Sequence, residues 1–172
     1  LMQVLPTATS YNNAKRIEAT LIQPTNVFQT VGFDFTTLFN TYRSTSTTLS
    51  TKTNNVQLYN SSNVAISGNT VSSAQNVRIN TLNTGVNYLN LTSTSLNNIT
   101  ELLFDVNAIP SISKVLVINV PISANFVWNN VNMPGLSGMH GPYVIWNFYG
   151  GTTYNLTINT ASMIVGSVFA PN

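Results

Sequence analysis

From Lys52 onward, short apolar runs recur about every 8 to 15 residues, and the chain between them lacks the residues that turn a tight hairpin. The runs are Val56–Tyr59, Val64–Ile66, Val77–Ile79, Tyr88–Leu91, Leu102–Val106, Lys114–Val120, Asn125–Trp128, Tyr143–Phe148, Tyr154–Ile158 and Met163–Phe169, with Asn, Ser, Gly or Pro between them. Runs of this length at this spacing fit a sandwich, a barrel or a solenoid. No Asn-Gly or Asp-Gly dipeptide occurs, so the two-residue turns that favour antiparallel meanders have no carrier. Parallel coils stacked about 4.8 Å apart need no such turns. The expected fold is all-β, and a β-solenoid ranks ahead of a sandwich.

One segment breaks the pattern. Phe35, Leu38, Phe39, Tyr42 and Leu49 recur at helical intervals behind Asp34, an N-cap residue type. The spacing predicts one amphipathic helix, about Phe35 to Leu49, within residues 33–52. Its Thr and Ser content gives poor intrinsic propensity, so it should hold on by packing its apolar stripe along the β coils. Residues 1–32 read as lead-in strands broken by Pro6 and Pro24, residues 53–172 as the β coils, and the whole 1–172 as a single domain. Such a domain buries about 70% of its unfolded surface, so it needs no disulfide staple.

Charge narrows function. Six Lys or Arg and four Asp or Glu leave a net charge of +2, and solubility rests instead on 26 Asn, 23 Thr and 17 Ser. Phosphate binding needs clustered cations, whereas Lys15, Arg16, Arg43, Lys52, Arg78 and Lys114 are scattered, so no nucleic-acid partner is expected. His140 is the only imidazole, lies in a Gly- and Pro-rich stretch read as a solvated loop, and has no Gly-x-Ser-x-Gly elbow to serve. With no Cys and no calcium-loop spacing, neither metal nor cofactor is expected. Glu101 and Asp105 on one strand would stand about 13 Å apart, beyond the roughly 5–9.5 Å of glycosidase pairs. The chain is therefore not expected to be an enzyme. No run approaches the roughly 18–20 apolar residues of a membrane span. No signal-peptide pattern opens the chain, so Leu1 reads as a mature N-terminus or a cut within a longer protein.

The tail carries a resemblance. Tyr143–Tyr149, the polar strand Tyr154-Asn155-Leu156-Thr157-Ile158, and Val165-Gly166-Ser167-Val168-Phe169-Ala170-Pro171-Asn172 resemble the closing pattern of the choice-of-anchor A domains of extracellular and cell-surface proteins. Phe33-Asp34-Phe35 before the helix and Ile118-Asn119-Val120 agree with it. The Gly-rich segment usual in that family is missing from residues 1–32, and the stop at Pro171-Asn172 reads as a fragment or trimmed subunit. The resemblance implies a solenoid-like, extracellular, adhesive domain.

That leaves the surface as the place to look. Aromatic faces beside amides suit sugar rings; Trp128 is expected to be the exposed aromatic, with Tyr143, Tyr149, Asn129 and Asn130 around it, while alternation puts Val144, Trp146 and Phe148 in the core. A polysaccharide or another cell-surface or matrix component is the expected partner. Thr45–Thr48 and Thr92–Ser95 suggest an ice-ordering array, with Thr92 and Thr94 read as strand residues, but the pattern does not repeat. Asn60, Asn90, Asn98 and Asn155 head glycosylation sequons. The rival class is a structural subunit of a filament, sheath or coat that self-associates through uncapped ends, with Leu1, Met2, Val4 and Leu5 packing against a neighbour or an end coil.

Overall fold

The structure, a computed structural model, describes residues 35–129, 131–150, 154–159 and 163–171. Among the described residues, nine strands follow a helix α1 (Phe35–Ser50): β1 (Leu58–Asn60), β2 (Gln75–Ile79), β3 (Gly85–Asn90), then a short helix α2 (Ser93–Asn98), β4 (Ile99–Phe104), β5 (Lys114–Ile122), β6 (Phe126–Asn129), β7 (Val144–Gly150), β8 (Leu156–Asn159) and β9 (Ser167–Phe169). The fold is β-rich with few helices. Contacts divide the chain into two units, Leu1–Leu38 and Phe39–Asn172; the described strands belong to the second, and the expected lead-in strands and the Asp34 cap lie outside the described residues.

Pairing is parallel almost throughout. One sheet has the order β3-β5-β7-β9, all parallel. A second has β2 parallel to β4, with β1 antiparallel on the far side of β2, and the third pairs β6 with β8 in parallel. Gly85 faces Lys114, 29 residues on, and Leu116 faces Val144, 28 residues on. Parallel neighbours need a connection much longer than a hairpin, which is why the absence of Asn-Gly turns costs this chain nothing. Of the ten expected strands, Val64–Ile66 is reduced to a single bridge between Tyr59 and Ala65.

The inner faces meet in one core. Leu116, Ile118 and Val120 of β5 stand beside Val144, Trp146 and Phe148 of β7, all fully buried as alternation predicts for the latter three. Across from them lies Trp128 of β6, its ring 4.7 Å from Trp146 and 5.2 Å from Phe148. Val77 and Ile79 of β2, beside Leu102 and Phe104 of β4, complete the same cluster. Trp128 is 0% exposed, which corrects the expectation that it is a surface aromatic. In-register pairing of Trp128 with Ile158 puts it on the inner face of β6, where a large indole buries too much apolar area to face water.

Two further expectations change. Thr92 and Thr94 are not strand residues: Thr92 Oγ1 accepts the Ser95 N–H at 3.0 Å and caps α2, a Thr at N-cap being favoured for this bond. Thr45–Thr48 lie in α1, so both Thr runs are helical and no flat Thr array forms from them. The helix α1 is where predicted, but not held as predicted. Nine of its sixteen residues are Thr or Ser, Phe39 and Tyr42 are exposed, and its buried residue is Ser46. At roughly 0.5 kcal/mol lost per Thr or Ser relative to Ala, such a helix depends on tertiary bonds.

A line of amides supplies them. Asn90, Asn119 and Asn147 occupy the same register on β3, β5 and β7. Asn119 Nδ2 donates to Asn90 Oδ1 at 2.9 Å and Asn147 Nδ2 to Asn119 Oδ1 at 2.8 Å. The remaining donors reach outward, Asn147 to the Ser46 carbonyl at 3.1 Å, Asn119 to Leu49 at 3.0 Å and Asn90 to Lys52 at 3.0 Å. Ser46 Oγ returns a bond to Asn147 Oδ1 at 2.7 Å. Three helical residues rise about 4.5 Å, close to the roughly 4.7–4.9 Å between strands, so every third carbonyl meets the next strand.

The two indoles offer a test of the core. Trp146 Nε1 donates to the Val165 carbonyl at 3.0 Å, whereas the buried Trp128 Nε1 has no hydrogen-bond partner among the described residues. Trp146→Phe leaves a carbonyl unpaired and Trp128→Phe does not. In urea unfolding, Trp146→Phe is expected to cost about 1–3 kcal/mol more than Trp128→Phe; equal losses would contradict this packing.

Candidate functional site

Where the ladder reaches β9, the amide is replaced by a ring. Phe169 pairs in register with Asn147, and Tyr42, one helical turn before Ser46, meets it edge-on with centroids 5.8 Å apart. Phe39 meets Tyr42 in the same way at 6.4 Å. Phe39 is 47% exposed and Tyr42 41%. With Phe169 half-buried beside them, the two exposed rings complete an aromatic strip at one margin of the parallel sheet. Edge-to-face contacts hold their orientation and are worth about 0.5–1.5 kcal/mol each.

A cleft of about 300 Å³ opens nearby. Tyr149 follows Asn147 by two residues on the same face of β7, diagonal to Phe169, and lines the cleft with Tyr154, Asn155, Ile122, Phe148 and Ala170. Its floor depends on Gly150, whose φ of 144° favours glycine and at which a Cβ would overlap the Ile122 carbonyl oxygen. Burial raises the Tyr149 phenol above its ordinary 10.0. The cleft thus offers two phenols, one exposed amide and an apolar floor, with no charged residue in its lining.

The sequence-predicted residues are only partly brought together. Tyr149 is half-buried in the cleft. Tyr143 is half-buried at the end of the 3-10 turn Gly138–Tyr143. Asn129 is exposed at the end of β6, where its Oδ1 accepts from Asn159 Nδ2 at 3.2 Å. Asn130 and the assembly residues Leu1, Met2, Val4 and Leu5 lie outside the described residues. His140 is half-buried on that turn, where its Nδ1 accepts the Ser137 N–H at 2.9 Å in an exposed local bond and closes a capping box. Asp105 lies 3.5 Å from Arg78 in an ion pair. Among the described residues no group of three or more His, Cys, Asp or Glu is placed to hold a metal ion, and no helix is long and apolar enough to cross a membrane.

Sequence reasoning missed Phe39, Tyr42, Phe169 and Tyr154. For Phe39 and Tyr42 the signal was the composition of α1: a helix over half Thr and Ser has too narrow an apolar face to bury its aromatics, so some must face solvent; Phe169 and Tyr154 lie outside the helix and carried no such signal.

A family model described as "Putative Ice-binding-like adhesive domain" matches residues 3–172. The chain belongs to this family. No curated protein sequence and no solved structure matches it. The family is adhesive in kind, as the tail pattern implied, though the match is not to choice-of-anchor A domains. In this adhesive domain the words "ice-binding-like" describe the family, and the Thr runs that suggested ice are helical here.

Tyr149 gives the site a titration signature. A phenol whose pKa is raised by folding contributes stability that is complete below pH 10 and lost as pH rises through its folded value, because the unfolded chain releases the proton first. Thermal melts of the adhesive domain are expected to fall more steeply above pH 10 than those of Tyr149→Phe; superimposable alkaline profiles would place Tyr149 outside the cleft.

Proposed function

We propose that this adhesive domain is non-enzymatic and extracellular or surface-displayed, and that it holds a neutral polysaccharide or matrix glycan against the strip from Phe39 to the cleft at Tyr154. The observation that carries the reading is the run of rings, exposed Phe39 and Tyr42 and half-buried Phe169, leading to two tyrosines and the amide of Asn155. Pyranose rings present C–H faces to aromatic planes and hydroxyls to amides and phenols. An uncharged lining selects a neutral polymer, since it offers an acidic one no counter-charge.

We also propose that the three sheets are faces of a β-solenoid, as sequence spacing and the choice-of-anchor A resemblance suggest. In its support, the chain visits them in rotation: β4, β5, β6, then Asn132 bridged in parallel to Glu101, then β7 and β8. A stack of coils gives a long regular flank, the geometry an extended polymer can follow.

Pull-down on insoluble cellulose and chitin, followed by a glycan array, tests the function. Tyr42→Ala or Tyr154→Ala is expected to weaken binding roughly three- to tenfold, the equivalent of one lost ring contact of about 0.5–1.5 kcal/mol, while the buried Trp128→Phe leaves binding unchanged. No retention on any glycan, or variants that bind like the parent, would rule the polysaccharide reading out.

A further inference from the structure

The fold sorts the four sequons by what their amide nitrogens already do. N-glycosylation joins the Asn Nδ2 to the anomeric carbon of a polyprenyl-pyrophosphate-linked oligosaccharide: the N–C bond forms, the carbon–oxygen bond to pyrophosphate breaks, the lipid pyrophosphate leaves and the amide loses one proton. The product carries a sugar ring on that nitrogen, so the nitrogen must open onto solvent in the native state.

Asn90 Nδ2 is wedged against the Lys52 carbonyl and Asn90 Oδ1 against Asn119, while the sequon hydroxyl of Thr92 caps α2. A sugar on this nitrogen displaces the turn at Lys52 that follows α1. Asn98 Nδ2 is bound to the Val71 carbonyl at 2.9 Å in half-buried surroundings. Asn60 uses its oxygen, which accepts the Ser62 and Val64 N–H groups at 3.0 and 2.9 Å; a glycan leaves that oxygen in place. At Asn155 the residue is exposed, the backbone N–H is held by Asn125 Oδ1 at 3.0 Å, and Thr157 faces solvent on β8. The Asn155 amide makes no hydrogen bond with other described residues, so its nitrogen is open.

We propose that Asn155 is the N-glycan acceptor of the folded chain, with Asn60 tolerated and Asn90 and Asn98 excluded. Because Asn155 lines the cleft with Tyr149 and Tyr154, a glycan there covers the cleft mouth, and occupancy and polysaccharide binding exclude each other; only this consequence rests on the proposed function.

The full chain, secreted from a eukaryotic host and purified as its native fraction, is mapped by enzymatic deglycosylation in heavy-oxygen water and peptide mass spectrometry. Asn155 is expected to be occupied and Asn90 and Asn98 unmodified, with Asn155→Gln and Thr157→Val each removing the Asn155 label. A native fraction glycosylated at Asn90 or Asn98, or one with Asn155 bare, overturns the assignment. On a cellulose or chitin column, the unoccupied glycoform is expected to be retained several-fold more than the occupied one. Equal retention overturns the exclusion. Retention of neither form defeats the polysaccharide reading and the exclusion with it, while the peptide map still decides the acceptor.

Discussion

Three side-chain amides in one line across a parallel sheet, Asn90, Asn119 and Asn147, dictate what can lie outside it. Each buried amide must pair its N–H groups and oxygen or lose about 1–3 kcal/mol per group left unpaired. Pairing along the line uses one donor per rung, and the second must find an acceptor above the sheet. Helix α1 brings carbonyls at about the strand repeat, so a helix with poor propensity is fixed in position and direction. Asn147 is fully satisfied, donating to Asn119 and Ser46 and accepting from Ser46 Oγ. Such a set is cooperative: α1 cannot shift by one residue without breaking the contacts together.

The aromatic strip follows from the same registry. With Ser46 over β7, the residue one turn earlier stands over β9, and that residue is Tyr42 against Phe169. A ring at this rung ends the amide line without leaving a donor unpaired. The strip is thus where the ladder stops, and the cleft begins where β7 runs on past it to Tyr149 and Gly150. Placing the binding candidates at the sheet margin leaves the core, with Trp128 and Trp146 in contact, free of functional demands.

Much of the secondary structure was legible because it rests on local pattern. Period-two alternation placed Val144, Trp146 and Phe148 inside, and the missing hairpin dipeptides pointed to parallel pairing. Thr92 misled because a Thr in a β-rich chain reads as strand until Ser95, three residues on, is seen as its capping partner. Trp128 misled because the sequence does not reveal which face of a four-residue strand meets the core; its pairing with Ile158 decides that. The helix stripe misled most. Apolar spacing found α1, but the force holding it lies in Asn residues up to about a hundred positions away, and no local window joins Ser46 to Asn147. Phe39 and Tyr42 were hidden by the same error, having been assigned to the helix's buried side.

The central claim is that amide rungs, not an apolar face, hold α1 to the sheet. Native-state hydrogen exchange on the parent, Asn119→Ala and Asn147→Ala reads it most directly. The account predicts that in both variants the amides of α1 lose protection by roughly ten- to a hundredfold, about 1–3 kcal/mol at 1.4 kcal/mol per decade, while those of β5 and β7 stay the slowest to exchange. Unchanged protection of α1, with β5 and β7 weakened instead, would show that the helix is held by something else.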